Sequence, residues 1–225
     1  MLVLRNKEII DKKDSKNKLL SIGSVMHFAK TGDAIWGTGI NGKVDESNLK
    51  FKTLDVRSVR GPLTRDFLMK RGLHVPEIYG DPGLLLPAFF SKDCLLNFND
   101  PVDDFIIIPH MNENFEGYKK YAKHIRTPKQ GALTFTKDIV NSKFVISGSL
   151  HGLIIAEAYG IPAVFLDNKS GEARFKYDDY YLGSGRDYYP IASTVEEAFD
   201  IKQAEPLELE KIIKKLMASF PYDLW

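Results

Sequence analysis

Residues 143–164, KFVISGSLHGLIIAEAYGIPAV, set the strongest limit on what this chain can fold into. Phe144, Val145 and Ile146 form an apolar run too short for a helix, and it delivers the chain to Ser147, Gly148 and Ser149. A short apolar run bounded by turn residues reads as a buried strand. From Leu150 to Tyr159 the apolar character continues over a helical length and stops at Gly160 and Pro162, after which residues 163–166 read as another strand. Strand, turn, helix and strand in that order make one crossover unit of a parallel sheet.

The same alternation runs through the rest of the chain. Residues 18–22, 34–36 and 54–59 read as strands, the first two ending in glycine-containing turns. A helix is expected from Pro62, with proline in its first turn and Gly72 just past its end. Residues 78–79 lead into Gly80-Asp81-Pro82-Gly83 and the run Leu84-Leu85-Leu86. The pattern loosens over 87–101, read as a domain linker. Residues 104–108 begin a second half as a strand, 115–125 read as an amphipathic helix and 135–141 as a short one. Apolar residues at 209, 212, 213 and 216 mark a closing helix over 208–218.

Lysine and arginine total 31 against 30 acidic residues, so the net charge of +1 gives no sign of a nucleic-acid or polybasic membrane partner. The single cysteine, Cys94, excludes an internal disulfide framework and a multi-cysteine zinc site, and is expected as a small buried hydrophobe. No run approaches the ~18 apolar residues of a membrane-spanning helix. The opening stretch, MLVLRNKEIIDKKDSKNK, has too short an apolar segment for a signal peptide. A cytoplasmic location, peripheral at most to the inner face of a membrane, is the expectation.

The chemistry-bearing residues gather where strands end. Ser149 suits a helix N-cap, its hydroxyl accepting from a first-turn amide, and the amides left over together with the helix dipole favour phosphate or carboxylate. Ser147 belongs to the same turn, His151 lies in the first helical turn, and Gly152 leaves room for a ligand to approach the backbone. The dipole disfavours a charged His151 ring whereas a bound phosphate favours it, which suits a general acid or base. A structural reading, in which Ser149 caps and His151 packs, fits the same residues. Arg60, at a strand end before Gly61 and Pro62, has the geometry to grip a carboxylate or phosphate with two bonds. Arg57 and Arg65 read as surface or salt-bridge residues. His110 and Asn112 follow a strand in the same manner, whereas His27, His74 and His124 read as solvated. Lys176 lies in what reads as an aromatic-rich loop, RFKYDDYY, suited to a sugar or phosphate-bearing ligand or to a packed tyrosine cluster. Glu157 either reaches a sugar hydroxyl or supports the helix.

Phosphate-loop, HExxH metal-helix and GxSxG nucleophile motifs are absent, as is an Asp-x-Asp pair, so a metal-independent reaction is expected.

Six segments together resemble the polysaccharide pyruvyl transferase family: IWGTGIN at 35–41, VRGPLTR at 59–65, GDPGLLLP at 80–87, IPH at 108–110, ISGSLHGLIIAEAYGIP at 146–162 and FPYDL at 220–224. The resemblance implies an α/β fold of two Rossmann-like domains similar to the GT-B fold, here a partial N-terminal domain over 1–90 and a C-terminal domain with a closing helix over 91–225. It implies an enzyme moving pyruvate from phosphoenolpyruvate, as a ketal, onto a sugar of a cell-surface polysaccharide or its lipid-linked precursor, with no cofactor. In that reading His151 transfers the proton, while Arg60 and the helix start at Ser149 hold the donor's carboxylate and phosphate. Many members carry arginine where this chain has Ser149; if that arginine binds the donor there, another cation such as Lys176 substitutes here or donor binding is weaker. Two other readings stay open: a GT-B-type glycosyltransferase using a nucleotide sugar, which would put an anion at the same helix start, and, from the shortened N-terminal half and Ser149, a non-catalytic, truncated relative that binds glycan or a partner subunit.

Overall fold

A computed structural model describes residues 17–96, 102–167 and 173–224. The opening stretch searched for a signal peptide lies almost wholly outside these residues. The architecture is α/β, with two parallel sheets as the alternation requires. Strands β1 (Leu19–Leu20), β2 (Ala34–Trp36) and β3 (Asp55–Ser58) form the first, in the order β1-β2-β3. A parallel bridge between Val59 and Tyr79 extends it by one short step beyond β3. Strands β4 (Ile106–Ile108), β5 (Val145–Ser147), β6 (Ala163–Leu166) and β7 (Ile191–Ala192) form the second, in sequence order.

Helix α1 (Pro62–Lys70) starts on proline, buries Thr64 and Leu68 four residues apart, and is followed by Gly72 at φ +80°, a left-handed conformation that glycine adopts without a Cβ penalty. Residues 86–95 hold two one-turn helices, α2 (Leu86–Phe89) and α3 (Lys92–Leu95), inside the stretch expected to be linker. Leu95 turns inward on α3 and leaves Cys94 on the solvent side, so the cysteine is exposed, not buried. Residues 115–124 form 3-10 turns kinked at Tyr121 (φ −109°, ψ 19°), where an amphipathic α-helix was expected.

In the second half the crossovers are α4 (Ala132–Val140), α5 (Leu150–Ala158) and α6 (Phe175–Gly183). Helix α5 is buried on nearly every side, which explains its lack of a polar face. Helix α6 replaces the loop expected around Lys176. The last helix, α7 (Leu209–Ser219), buries Ile212 and Leu216, two of the positions its periodicity marks. Trp36 of β2 donates its indole N–H to the Leu216 carbonyl at 2.9 Å and meets Phe220 edge-on at 4.9 Å, fastening the end of the chain to the first sheet.

The seam between the two halves is polar and tight. Arg60, after β3, and Asp179, on α6, are both wholly buried, with guanidinium nitrogens 3.0 and 3.1 Å from Asp179 Oδ2. The Thr64 amide and hydroxyl donate to the same carboxylate at 2.9 and 2.6 Å. A Cβ on Gly61 would stand 1.7 Å from the Asp179 carbonyl oxygen, and one on Gly183 would stand 2.4 Å from that of Arg60. Only glycine lets the start of α1 approach the end of α6 this closely.

Removing one member of a buried pair strands the other charge in a medium that cannot solvate it. Asp179→Ala should therefore lower stability by about 3–5 kcal/mol in urea unfolding. Arg57, which reaches Asp55 and Asp223 on the partly exposed surface, provides the contrast. Arg57→Ala should lower stability by about 1 kcal/mol or less.

Candidate functional site

A cleft of about 650 Å³ opens at the carboxyl ends of both sheets. Most polar residues on it follow a strand: Ser24 after β1, Asn41 and Lys43 after β2, His110 and Asn112 after β4, Ser149 and His151 after β5, and Lys176 after β6, while Gln130 and Thr136 come from α4 and the turn before it. Open parallel sheets bind ligands at this edge, because the strands end there while the following helices begin. The cleft brings together five of the residues singled out in the sequence: His110, Asn112, Ser149, His151 and Lys176. Ile22, Leu86, Met111 and Phe135 give it an apolar component as well.

The turn between β5 and α5 is fixed from within. The Ser147 hydroxyl accepts from the Ser149 amide at 3.0 Å and donates to the Ser149 carbonyl at 2.8 Å, so it closes the turn and is buried beneath it. A Cβ on Gly152 would lie 2.3 Å from that hydroxyl oxygen. The space at Gly152 therefore admits Ser147, not a ligand. Ser149 holds extended N-cap backbone, yet its hydroxyl makes no capping bond, contrary to the expectation. From α6, the Tyr177 hydroxyl donates to the Gly148 carbonyl at 2.7 Å and ties the turn to the next crossover.

His151 meets a partner from the other half of the chain. Its Nε2 stands 3.4 Å from Oδ2 of Asp81. Asp81 is wholly buried and accepts from the Gly83 amide through Oδ1 at 2.8 Å, capping the 3-10 turn Pro82–Leu85. Burial pushes the Asp81 carboxyl up, but the His151 ring, the Gly83 amide and the Arg60 charge together hold it below the ordinary carboxylate value.

His110 is held by its loop: Glu113 accepts from the His110 amide at 2.9 Å and from the Tyr118 hydroxyl. That contact and burial raise the Tyr118 phenol above its usual value. Lys176 is largely buried, with its ammonium 5.1 Å from the Tyr177 ring centre. Lys43 lies across the cleft in a turn shaped by Asn41, whose Oδ1 accepts from the Lys43 and Val44 amides.

Two expected ligand contacts stand behind the cleft. The Arg60 guanidinium donates to Ser24 Oγ and the Ile40 carbonyl, both at 2.6 Å, besides gripping Asp179. It braces the segments that present Ser24 and Asn41. Glu157 accepts from the Tyr180 and Tyr181 hydroxyls and from both terminal nitrogens of Arg186, so it supports the fold on the side away from the cleft. His74 is exposed as expected. His124 instead stacks on Phe105 at 4.0 Å, and His27 has a buried Nδ1 with no hydrogen-bond partner.

Sequence reasoning missed Asp81, Lys43 and Asn41. Gly80-Asp81-Pro82-Gly83 announced a turn, and a capping aspartate before proline satisfies that signal completely, which hides its second oxygen. Among the described residues, no three His, Cys, Asp or Glu side chains gather as a metal site, and no helix is long and apolar enough to cross a membrane.

A family model described as Polysaccharide pyruvyl transferase matches residues 15–170. The chain is also similar to the succinoglycan biosynthesis protein ExoV of Rhizobium meliloti (strain 1021), at 26% identity over 183 residues, covering 76% of this chain and 55% of that protein. An uncharacterized protein of Acanthamoeba polyphaga mimivirus is 28% identical over 182 residues, covering 75% of this chain and 61% of that protein. The chain thus spans less than two thirds of the length of either relative. With the family match extending over more than half of its residues, this chain belongs to the polysaccharide pyruvyl transferase family.

Proposed function

We propose that the chain transfers pyruvate from phosphoenolpyruvate to two hydroxyls of one sugar in a surface polysaccharide or its lipid-linked precursor, forming a cyclic ketal without a metal or cofactor. The observation that carries this reading is His151, in the first turn of α5, sharing one cleft with Lys176 and Lys43. The donor bears a phosphate and a carboxylate, and the cleft offers a helix start and two ammonium groups to meet them. The facing parallel sheets, with α7 fastened back to β2, suit a GT-B-like arrangement. We assign the reaction to the cytoplasm, with peripheral contact at the inner face of the membrane where the acceptor is lipid-linked.

His151 protonates the methylene carbon of the enol, and C2 becomes electrophilic. One sugar hydroxyl adds to C2 and loses its proton. A second hydroxyl then forms the other C–O bond as the C2–O bond to phosphate breaks. The first hydroxyl's proton is balanced by the one gained on the new methyl group, and the second leaves with phosphate. His110 and Asn112, on the loop after β4, are placed to receive acceptor hydroxyls, and Ser149 to meet the donor.

The measurement is phosphate release from phosphoenolpyruvate with candidate sugar acceptors, the product being identified by mass. His151→Ala should reduce turnover by about 10²–10⁴-fold with an unchanged thermal unfolding profile. Unchanged turnover would remove His151 from the chemistry. Lys176→Met keeps most of the side-chain volume and loses the charge. It should raise KM for phosphoenolpyruvate about tenfold or more, equivalent to about 1.4 kcal/mol of donor binding, with a smaller effect on kcat.

A further inference from the structure

We propose that Asp81 is a positioning residue that holds the His151 ring with its Nε2–H directed at the carboxylate, leaving Nδ1 as the nitrogen that gives and takes the proton in the cleft. What Nδ1 does rests on the pyruvyl-transfer reading; which nitrogen is held rests on geometry.

Asp81 Oδ2 and His151 Nε2 are both sealed from solvent and neither has another hydrogen-bond partner. They face one another at 3.4 Å. A buried carboxylate oxygen with no donor is costly, and the imidazole N–H is the donor in front of it. The contact is longer than a formed hydrogen bond, as catalytic contacts often are before substrate binds. Yet the His151 side chain retains 32% exposure. Its Cε1 edge lies toward Gly23, and Nε2 is covered, so Nδ1 is the nitrogen on the open side.

The surroundings agree with this assignment. The start of α5 disfavours a positive ring, and Lys43, His110 and Lys176 on the same cleft add to that effect. Asp81 is the acidic group in contact with the ring, with Arg60 behind it, while Glu113 stands on the His110 side of the turn. A carboxylate on one ring nitrogen fixes the tautomer and stabilises the imidazolium when the other nitrogen takes a proton. The charged ring gives its Nδ1 proton to the enol methylene carbon and becomes the neutral Nε2–H form. Nδ1 then takes the proton of the attacking hydroxyl, and the ring returns to its starting state.

Asp81 follows the first sheet and His151 follows a strand of the second, so the pair exists only when the halves are docked.

The test uses the full chain with nitrogen-15-labelled histidine. Long-range proton–nitrogen correlation at a pH where the His151 ring is neutral should show the Nε2–H tautomer in the wild type. Asp81→Asn keeps an oxygen for the Gly83 amide but can place an N–H before Nε2, and should shift the ring toward the Nδ1–H tautomer. The same variant should lower kcat for phosphate release about 10²–10⁴-fold while leaving KM for phosphoenolpyruvate within about threefold. A wild-type ring in the Nδ1–H form overturns the proposal even if the variant does not fold. So does a folded Asp81→Asn protein with the wild-type tautomer or wild-type kcat. A wild type that releases no phosphate with any acceptor counts against the pyruvyl-transfer reading, while the tautomer still decides which nitrogen Asp81 holds.

Discussion

The buried pair of Arg60 and Asp179 is the constraint on which the rest of the site depends. Two charges removed from water gain little net stability from each other, but neither tolerates the loss of its partner. Here the partners come from opposite halves of the chain, one after β3 and one on α6. Separating the halves would expose or strand both charges. The close approach of Gly61 to α6 and of Gly183 to Arg60 removes the slack that a sliding motion would need. The relative position of the two sheet edges is therefore fixed by contacts that do not touch the cleft.

That fixed position is what a contact such as Asp81–His151 requires. A dyad assembled from two sheets has only the accuracy with which the sheets are held, and small displacements are expensive in catalysis. Arg60 acts on both levels. Its guanidinium braces Ser24 on the cleft wall and, through the Ile40 carbonyl, the segment just before Asn41, and its charge reaches Asp81. An arginine that reads in the sequence as a ligand clamp is in the structure engaged by Asp179, Ser24 and the Ile40 carbonyl, behind the cleft.

Much of the fold was legible in the residues, because its strands are short apolar runs and its helices begin and end on recognisable signals. Proline 62 and Gly72 bracket α1, and the spacing of Leu209, Ile212, Ile213 and Leu216 marks α7. Helix α6 was not legible: FKYDDYYLG buries a lysine, three tyrosines and Asp179, so polar residues occupy its inward positions and its periodicity misleads. Strand β7 has only two residues and no pattern to detect. At the site, the location of the β5–α5 turn was legible, since a strand running into a helix start leaves few alternatives. The partners were not. Nothing local in Ser147 or Gly152 says that one fills the space left by the other, and nothing in Gly80-Asp81-Pro82-Gly83 says that His151 lies opposite.

In the proposed reaction, the placement of Asp81 would also resolve an electrostatic conflict in the cleft. An anionic donor needs positive surroundings, whereas a histidine that must carry a proton needs a negative neighbour. A carboxylate on the cleft surface would serve the ring and repel the donor. Asp81 avoids this by position: it is wholly buried behind the ring, and Arg60 offsets part of its field. The imidazole feels the carboxylate at contact distance, whereas a donor on the Nδ1 side is separated from it by the ring itself. Interaction energy falls with distance and with the rise in effective dielectric toward solvent, so the same charge acts strongly on His151 and weakly on the ligand. Lys43 and Lys176, by contrast, line the cleft itself.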